Sequence, residues 1–106
     1  MDEYEELLMK IIANSGEAHS CGIDAIRKAR AKDYYSADAL MNEGREALMV
    51  AHEAHFGLLQ SEAAGSNKLT FTFLMTHAQD HLMNAQTVCE LATEIIELCK
   101  ERQKSS

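Results

Sequence analysis

Between Leu69 and Arg102 the chain reads LTFTFLMTHAQDHLMNAQTVCELATEIIELCKER. Leu74, Ala78, His81, Ala85, Val88, Ala92, Ile95 and Cys99 recur at alternating spacings of four and three, which is the period of one helix face turned toward a core. Met75, Leu82, Cys89 and Ile96 make a second column at seven-residue spacing, and Leu91 and Leu98 extend a third that begins at His77 and Asn84. The stretch is therefore expected to be a long helix with an apolar surface wider than two neighbours in one small bundle can cover. Part of that surface should meet another subunit.

Two more periodic stretches precede it. In the first, Tyr4, Leu8, Ile11, Ser15, Ala18, Gly22, Ala25 and Ala29 form the seam, with Ile12, His19 and Ile26 beside it. In the second the seam reads Leu40, Gly44, Ala47, Ala51, Ala54 and Leu58, small residues that let a neighbouring helix come close. Breaks fall at Ala31-Lys32-Asp33 and at Ala64-Gly65-Ser66-Asn67-Lys68, and Asp33 or Ser36 can cap the second helix. The pattern predicts an all-α, antiparallel three-helix bundle with helices at about 3–31, 34–63 and 69–102, forming a single domain over 1–106.

Composition supports this and narrows function. In 106 residues there is no proline and only 6% aromatic residues, a poor supply for sheets. Seventeen Asp and Glu against ten Lys and Arg leave a net charge of −7, which disfavours nucleic acid and anionic lipid as partners. No apolar run approaches the ~20 residues that span a bilayer, and the acidic start Met1-Asp2-Glu3-Tyr4-Glu5-Glu6 is unlike a signal peptide, so a cytoplasmic protein without membrane insertion is expected. Cys21, Cys89 and Cys99 have no C-x-x-C spacing and read as reduced thiols rather than a zinc or redox site.

The densest polar cluster is Thr76-His77-Ala78-Gln79-Asp80-His81. At about 100° per residue His77, Asp80, His81 and Asn84 share one side of the helix, with Gln79 pointing elsewhere. His81 falls on the expected core seam, whereas His77 lies at its edge, where one ring nitrogen can reach solvent while the other is held by a partner. That placement suits a nucleophile. The same i, i+3, i+4 set could hold a metal ion, with zinc the usual choice, although zinc sites normally draw on more than one element. His52-Glu53-Ala54-His55 has its histidines three apart, not the four of H-E-x-x-H, and no histidine has a Glu three residues before it, so zincin and di-iron motifs are absent. There is no G-x-x-x-x-G-K-S/T, G-x-G-x-x-G or G-x-S-x-G, hence no visible nucleotide or acyl-substrate site, and any phosphoryl group must arrive already activated.

Leu74-Met75-Thr76-His77-Ala78-Gln79-Asp80-His81-Leu82-Met83 closely resembles the signature of the lactose/cellobiose-type IIA component of the bacterial phosphoenolpyruvate-dependent sugar phosphotransferase system. The likeness extends to Gly16-Glu17-Ala18, the Ala25 to Asp33 segment, Ala51-His52 and Glu62-Ala63-Ala64-Gly65. It implies a cytoplasmic three-helix protein that forms a homotrimer of nine helices. Such a protein accepts phosphate on a histidine from the histidine-containing phosphocarrier protein and donates it to a IIB component during uptake of a disaccharide of the lactose, cellobiose or chitobiose class. By the same resemblance His77 is the phosphorylated residue and Asp80 a buried carboxylate near the trimer axis, able to share a structural Mg²⁺. His81 is then an interface neighbour and Gln79 a donor to the phosphoryl oxygens across a subunit boundary. Two positions depart from the family pattern: His52-Glu53-Ala54-His55-Phe56 stands where H-x-x-Q-T is usual, and His19 where Arg or Lys is common. The alternative class is a non-catalytic metal-binding or protein-interaction bundle.

Overall fold

Asp2 starts the first helix by accepting the Glu5 N–H at 2.8 Å, with Glu3, Glu5 and Glu6 in the first turn complementing the positive end of the helix dipole. In this computed structural model, which describes residues 2–65 and 72–105, helix α1 runs Glu3–Arg30, α2 Tyr34–Ala63 and α3 Phe73–Ser105. Three residues turn α1 into α2. Lys32, at φ 66°, takes the left-handed position that usually falls to glycine, donating its N–H to the Ala29 carbonyl, while the Asp33 N–H reaches back to the Lys28 carbonyl at 2.9 Å. Asp33 then caps α2 by accepting from the Ser36 N–H at 3.1 Å. That α2 stops at Ala63 follows from Gly65, at φ 76°, closing its last turn.

The predicted bounds of the first two helices agree with these to within a residue. The third starts later than expected. Thr72 is non-helical, its Oγ1 accepting from the Met75 N–H at 3.1 Å and its carbonyl taking the Thr76 N–H, so the helix begins at Phe73; the predicted start at Leu69 and the Ser66 to Lys68 part of the break lie outside the described residues.

The helices run up, down and up in a rod of 58 × 23 × 19 Å. α1 packs along both others, whereas α2 and α3 share a much shorter seam. The core has two parts. Leu8, Ile11, Ala51, Ala54, Leu58, Met75, Ala78 and Leu82 fill the end where α1 and α3 begin, while Ala18, Ala25, Ala29, Ala37, Met41, Ala47, Ala85, Cys89, Ala92 and Ile96 fill the other. At that second end the Tyr34 hydroxyl donates to the Cys99 carbonyl at 3.2 Å, and Lys100 pairs with Asp38 at 3.0 Å.

The seams of α1 and α2 are close to those expected, with Met41 buried in place of the half-buried Leu40. Between α1 and α2 the small residues bring backbones together: a Cβ built on Gly44 would lie 3.0 Å from Cys21 Cβ and 3.4 Å from the Ala18 carbonyl oxygen. In α3 the seam is rotated from the expected one. Met75, Ala78, Leu82, Ala85, Cys89, Ala92 and Ile96 are buried, and Leu74, His81, Val88, Ile95 and Cys99 flank them half-buried. Burial raises the Cys89 thiol, and it raises Cys21 with further help from Glu43 and Glu17. Met83, Leu91 and Leu98 stay more than half exposed, as does Phe73 near the start of α3. Among the described residues no helix is long and apolar enough to cross a membrane.

Candidate functional site

The Thr72 cap puts His77 at the fifth helical residue, one turn past the first residues Phe73 and Leu74. A start at Leu69 would have put it a further turn inside, beyond the range in which the positive helix end acts. His77 is exposed, and its ring is held along the helix surface by neighbours four residues away on either side. Phe73 stacks on it with centroids 6.4 Å apart and planes 10° from parallel. His81 meets it edge to face at 4.5 Å, its Nε2 lying 3.1 Å from the Nε2 of His77. Two Nε2 atoms at that distance need one N–H and one lone pair, so one ring carries its hydrogen on Nε2 and the other on Nδ1.

His81 is half-buried rather than on the core seam. The reason is the rotation of α3, which sends Leu82 inward and leaves His81 on the shoulder facing α1. There it lines a groove with Gly16, His19, Ser20, Asn84 and Val88, so the two imidazoles of His19 and His81 border one surface. Asp80 is exposed on this chain and, among the described residues, makes no hydrogen bond or ion pair. Gln79 lies away from the His77 ring, against a small cavity between the helices that it lines with Leu8, Ile11, Leu58, Met75 and, on α2, His55 and Glu62. The structure thus pairs His77 with His81, leaves Asp80 alone and turns Gln79 away. Phe73 was not among the expected residues, although an aromatic four positions before a histidine on one helix is a readable signal.

What this arrangement offers is one solvent-facing imidazole, oriented on both sides, on a rigid helix. The profile of the lactose/cellobiose-specific IIA subunit of the phosphotransferase system matches residues 6–100. The chain belongs to this family. The N,N'-diacetylchitobiose-specific EIIA component of Escherichia coli is 40% identical over 97 residues, 92% of this chain and 83% of that protein. The lichenan-specific IIA component of Bacillus subtilis is 42% identical over 92% of this chain and 87% of its own length. Among solved structures, the cellobiose-specific enzyme IIA of Bacillus anthracis superposes with a TM-score of 0.94 at 40% identity, covering 100% of this chain and 96% of that one. The chitobiose IIA of Escherichia coli, solved in complex with HPr, superposes at 0.75 and 36% identity over 97% of this chain and 99% of that one. As a IIA subunit the chain is a phosphotransferase system component of the sugar-transport class, and the all-helical fold agrees. The two positions expected to depart from the family pattern fall in distinct places: His19 on the α1–α3 groove beside His81, and His55 on the cavity beside Gln79.

Proposed function

We propose that His77 accepts a phosphoryl group from the histidine-containing phosphocarrier protein and passes it to a IIB component in the cytoplasm, during uptake of a disaccharide of the lactose, cellobiose or chitobiose class. The observation that carries this reading is the exposed His77 ring, fixed between Phe73 and His81, in a chain of the IIA family. The HPr complex of the chitobiose IIA relative supports the choice of donor. In the first transfer a P–N bond to the donor imidazole breaks as a P–N bond to His77 forms; in the second that P–N bond to His77 breaks as the IIB nucleophile bonds the phosphorus, each in line through a loose transition state that asks for placement and charge stabilisation. Loaded, His77 gains about two negative charges and three acceptor oxygens. His81 on the same chain, its Nε2 3.1 Å from that of His77 before loading, would donate to them. Gln79 faces away from its own His77, so its contribution would go to the histidine of a neighbouring copy.

That neighbour belongs to the same proposal. The exposed Met83, Leu91 and Leu98 column is the surface a homotrimer would cover. Among the described residues Asp80 has no hydrogen bond or ion pair, and three copies of its carboxylate around an axis would supply hard oxygen ligands that fit a structural Mg²⁺, remote from the transfer itself. Incubation with phosphoenolpyruvate and the two general phosphotransferase proteins should give acid-labile, alkali-stable phosphate on the wild type and none on His77→Gln. An unlabelled wild type under working controls, or equal labelling of the variant, would overturn the reading. Sizing by light scattering should give three times the 11.8 kDa chain mass. Asp80→Leu should keep that size and lose any dependence on Mg²⁺; dissociation of the variant to monomers would refute the axial role.

A further inference from the structure

Away from His77, on the two helices that do not carry it, a thiol and two carboxylates converge. Glu17 and Cys21 lie one turn apart on α1, and Glu43 reaches them from α2. One ligand atom of each, two carboxylate oxygens and Cys21 Sγ, lies within 4.8 Å of the others. The close crossing at Gly44 is what brings α2 this near, since any side chain there would meet Cys21. Cys21 is only 7% exposed, so nine-tenths buried, and among the described residues its Sγ has no hydrogen-bond partner. Cys89, by contrast, donates to the Ala18 carbonyl. No described cation pairs with Glu17 or Glu43, whereas the nearby Asp24 is held by Arg27.

We propose that Glu17, Cys21 and Glu43 form a divalent-metal site of the zinc type, with water as the fourth ligand, that clamps α1 to α2. The chemistry of the set decides the metal. A thiolate beside two carboxylates suits Zn²⁺, while Mg²⁺ and Ca²⁺ take oxygen ligands alone. Tetrahedral Zn–S and Zn–O bonds of ~2.3 and ~2.1 Å place ligand atoms about 3.5 Å apart. Reaching that spacing asks for a closure of little more than 1 Å, made by two exposed glutamates that turn freely about a fixed sulfur. On binding, the S–H proton leaves to solvent as the S–Zn bond forms, and the two carboxylates bind as they are. Cysteine spacing could not reveal the site, because its other two ligands are glutamates, one of them on a different helix.

The test uses the full, reduced chain with Cd²⁺ as a spectroscopic probe and Zn²⁺ in competition with a chromophoric chelator. Expected are one equivalent of metal per chain, an ultraviolet thiolate-to-Cd²⁺ charge-transfer band, and loss of that band in Cys21→Ser. Glu17→Gln and Glu43→Gln, both on exposed positions, should each weaken Zn²⁺ at least tenfold, while His77→Gln leaves the site unchanged. No thiolate band in the reduced wild type, a band that survives Cys21→Ser, or unaltered affinity in the doubled glutamine variant would each overturn the proposal. Circular dichroism checks folding. Should Cys21→Ser fail to fold, the two surface glutamine variants decide the matter.

Discussion

Ser15 sits on the α1 seam at 0% exposure, and among the described residues its Oγ has no hydrogen-bond partner. A buried hydroxyl left unpaired costs roughly 1–3 kcal/mol of desolvation that nothing returns. Ser15→Ala removes that cost and gains up to about 0.5 kcal/mol of helix propensity. Against this stands the void left by one oxygen, on the order of 10 Å³, which at ~24 cal/mol per Å³ amounts to about 0.2 kcal/mol. The balance is a stabilisation of about 1–3 kcal/mol, worth roughly 5 °C or more in Tm for a chain of this size. Urea unfolding followed by far-ultraviolet circular dichroism, at matched chain concentration, would read it as a higher midpoint with an unchanged m-value. A midpoint that stays put or falls would refute the reasoning. It would mean that the hydroxyl is partnered, for example by bonding back to a carbonyl one turn earlier.

The two tight glycines should part company. At Gly22 the added methyl meets the side chain of half-buried Val88, which can turn into the adjoining groove, so Gly22→Ala should be near neutral in the same unfolding assay; at Gly44 it meets Cys21 Cβ and the Ala18 backbone, which cannot yield, and Gly44→Ala should cost about 1–3 kcal/mol. Lys32→Gly should stabilise by about 0.5–1 kcal/mol in thermal unfolding, the left-handed penalty of ~1–2 relieved less the extra chain entropy of glycine. The side-chain and backbone hydrogen bonds of Ser36, and more weakly Lys28, hold the Asp33 carboxyl below its ordinary value of 3.8. A depressed carboxylate contributes stability that is fully present above its unfolded pKa and is lost as pH falls through the folded one. Asp33→Asn should therefore flatten the stability profile below about pH 4, an effect read by urea titrations across acidic pH.

The α1 and α2 boundaries were readable because each rests on a local device. Asp33 announces a cap, and Gly65 supplies a left-handed stop. The start of α3 was misread because Thr70 to Thr72 fits an apolar period as well as a cap, and only the Thr72 bonds distinguish the two. Its seam was misjudged for a related reason. His81, Val88 and Ile95 compete with Leu82, Cys89 and Ile96 for the inward direction, and both columns are apolar enough that tertiary packing alone decides. Among the site residues, the polar cluster from His77 to His81 was legible by spacing, and so was the divergence of Gln79 from the side that carries His77. The pairing of His77 with His81 in preference to Asp80 depends on side-chain rotamers that no spacing states. The convergence of Glu43 on Cys21 depends on a helix crossing and was equally out of reach.

On the role proposed for His77, its Nε2 contact with His81 makes the two nitrogens of the ring chemically unequal before any donor docks. Phosphorylation at Nε2 must first part the imidazoles, which frees His81 to bond the newly attached group; phosphorylation at Nδ1 would leave the couple intact. The regiochemistry of the adduct, assigned by nitrogen and phosphorus resonances, is thereby a record of whether the resting ring has to swing before it can react.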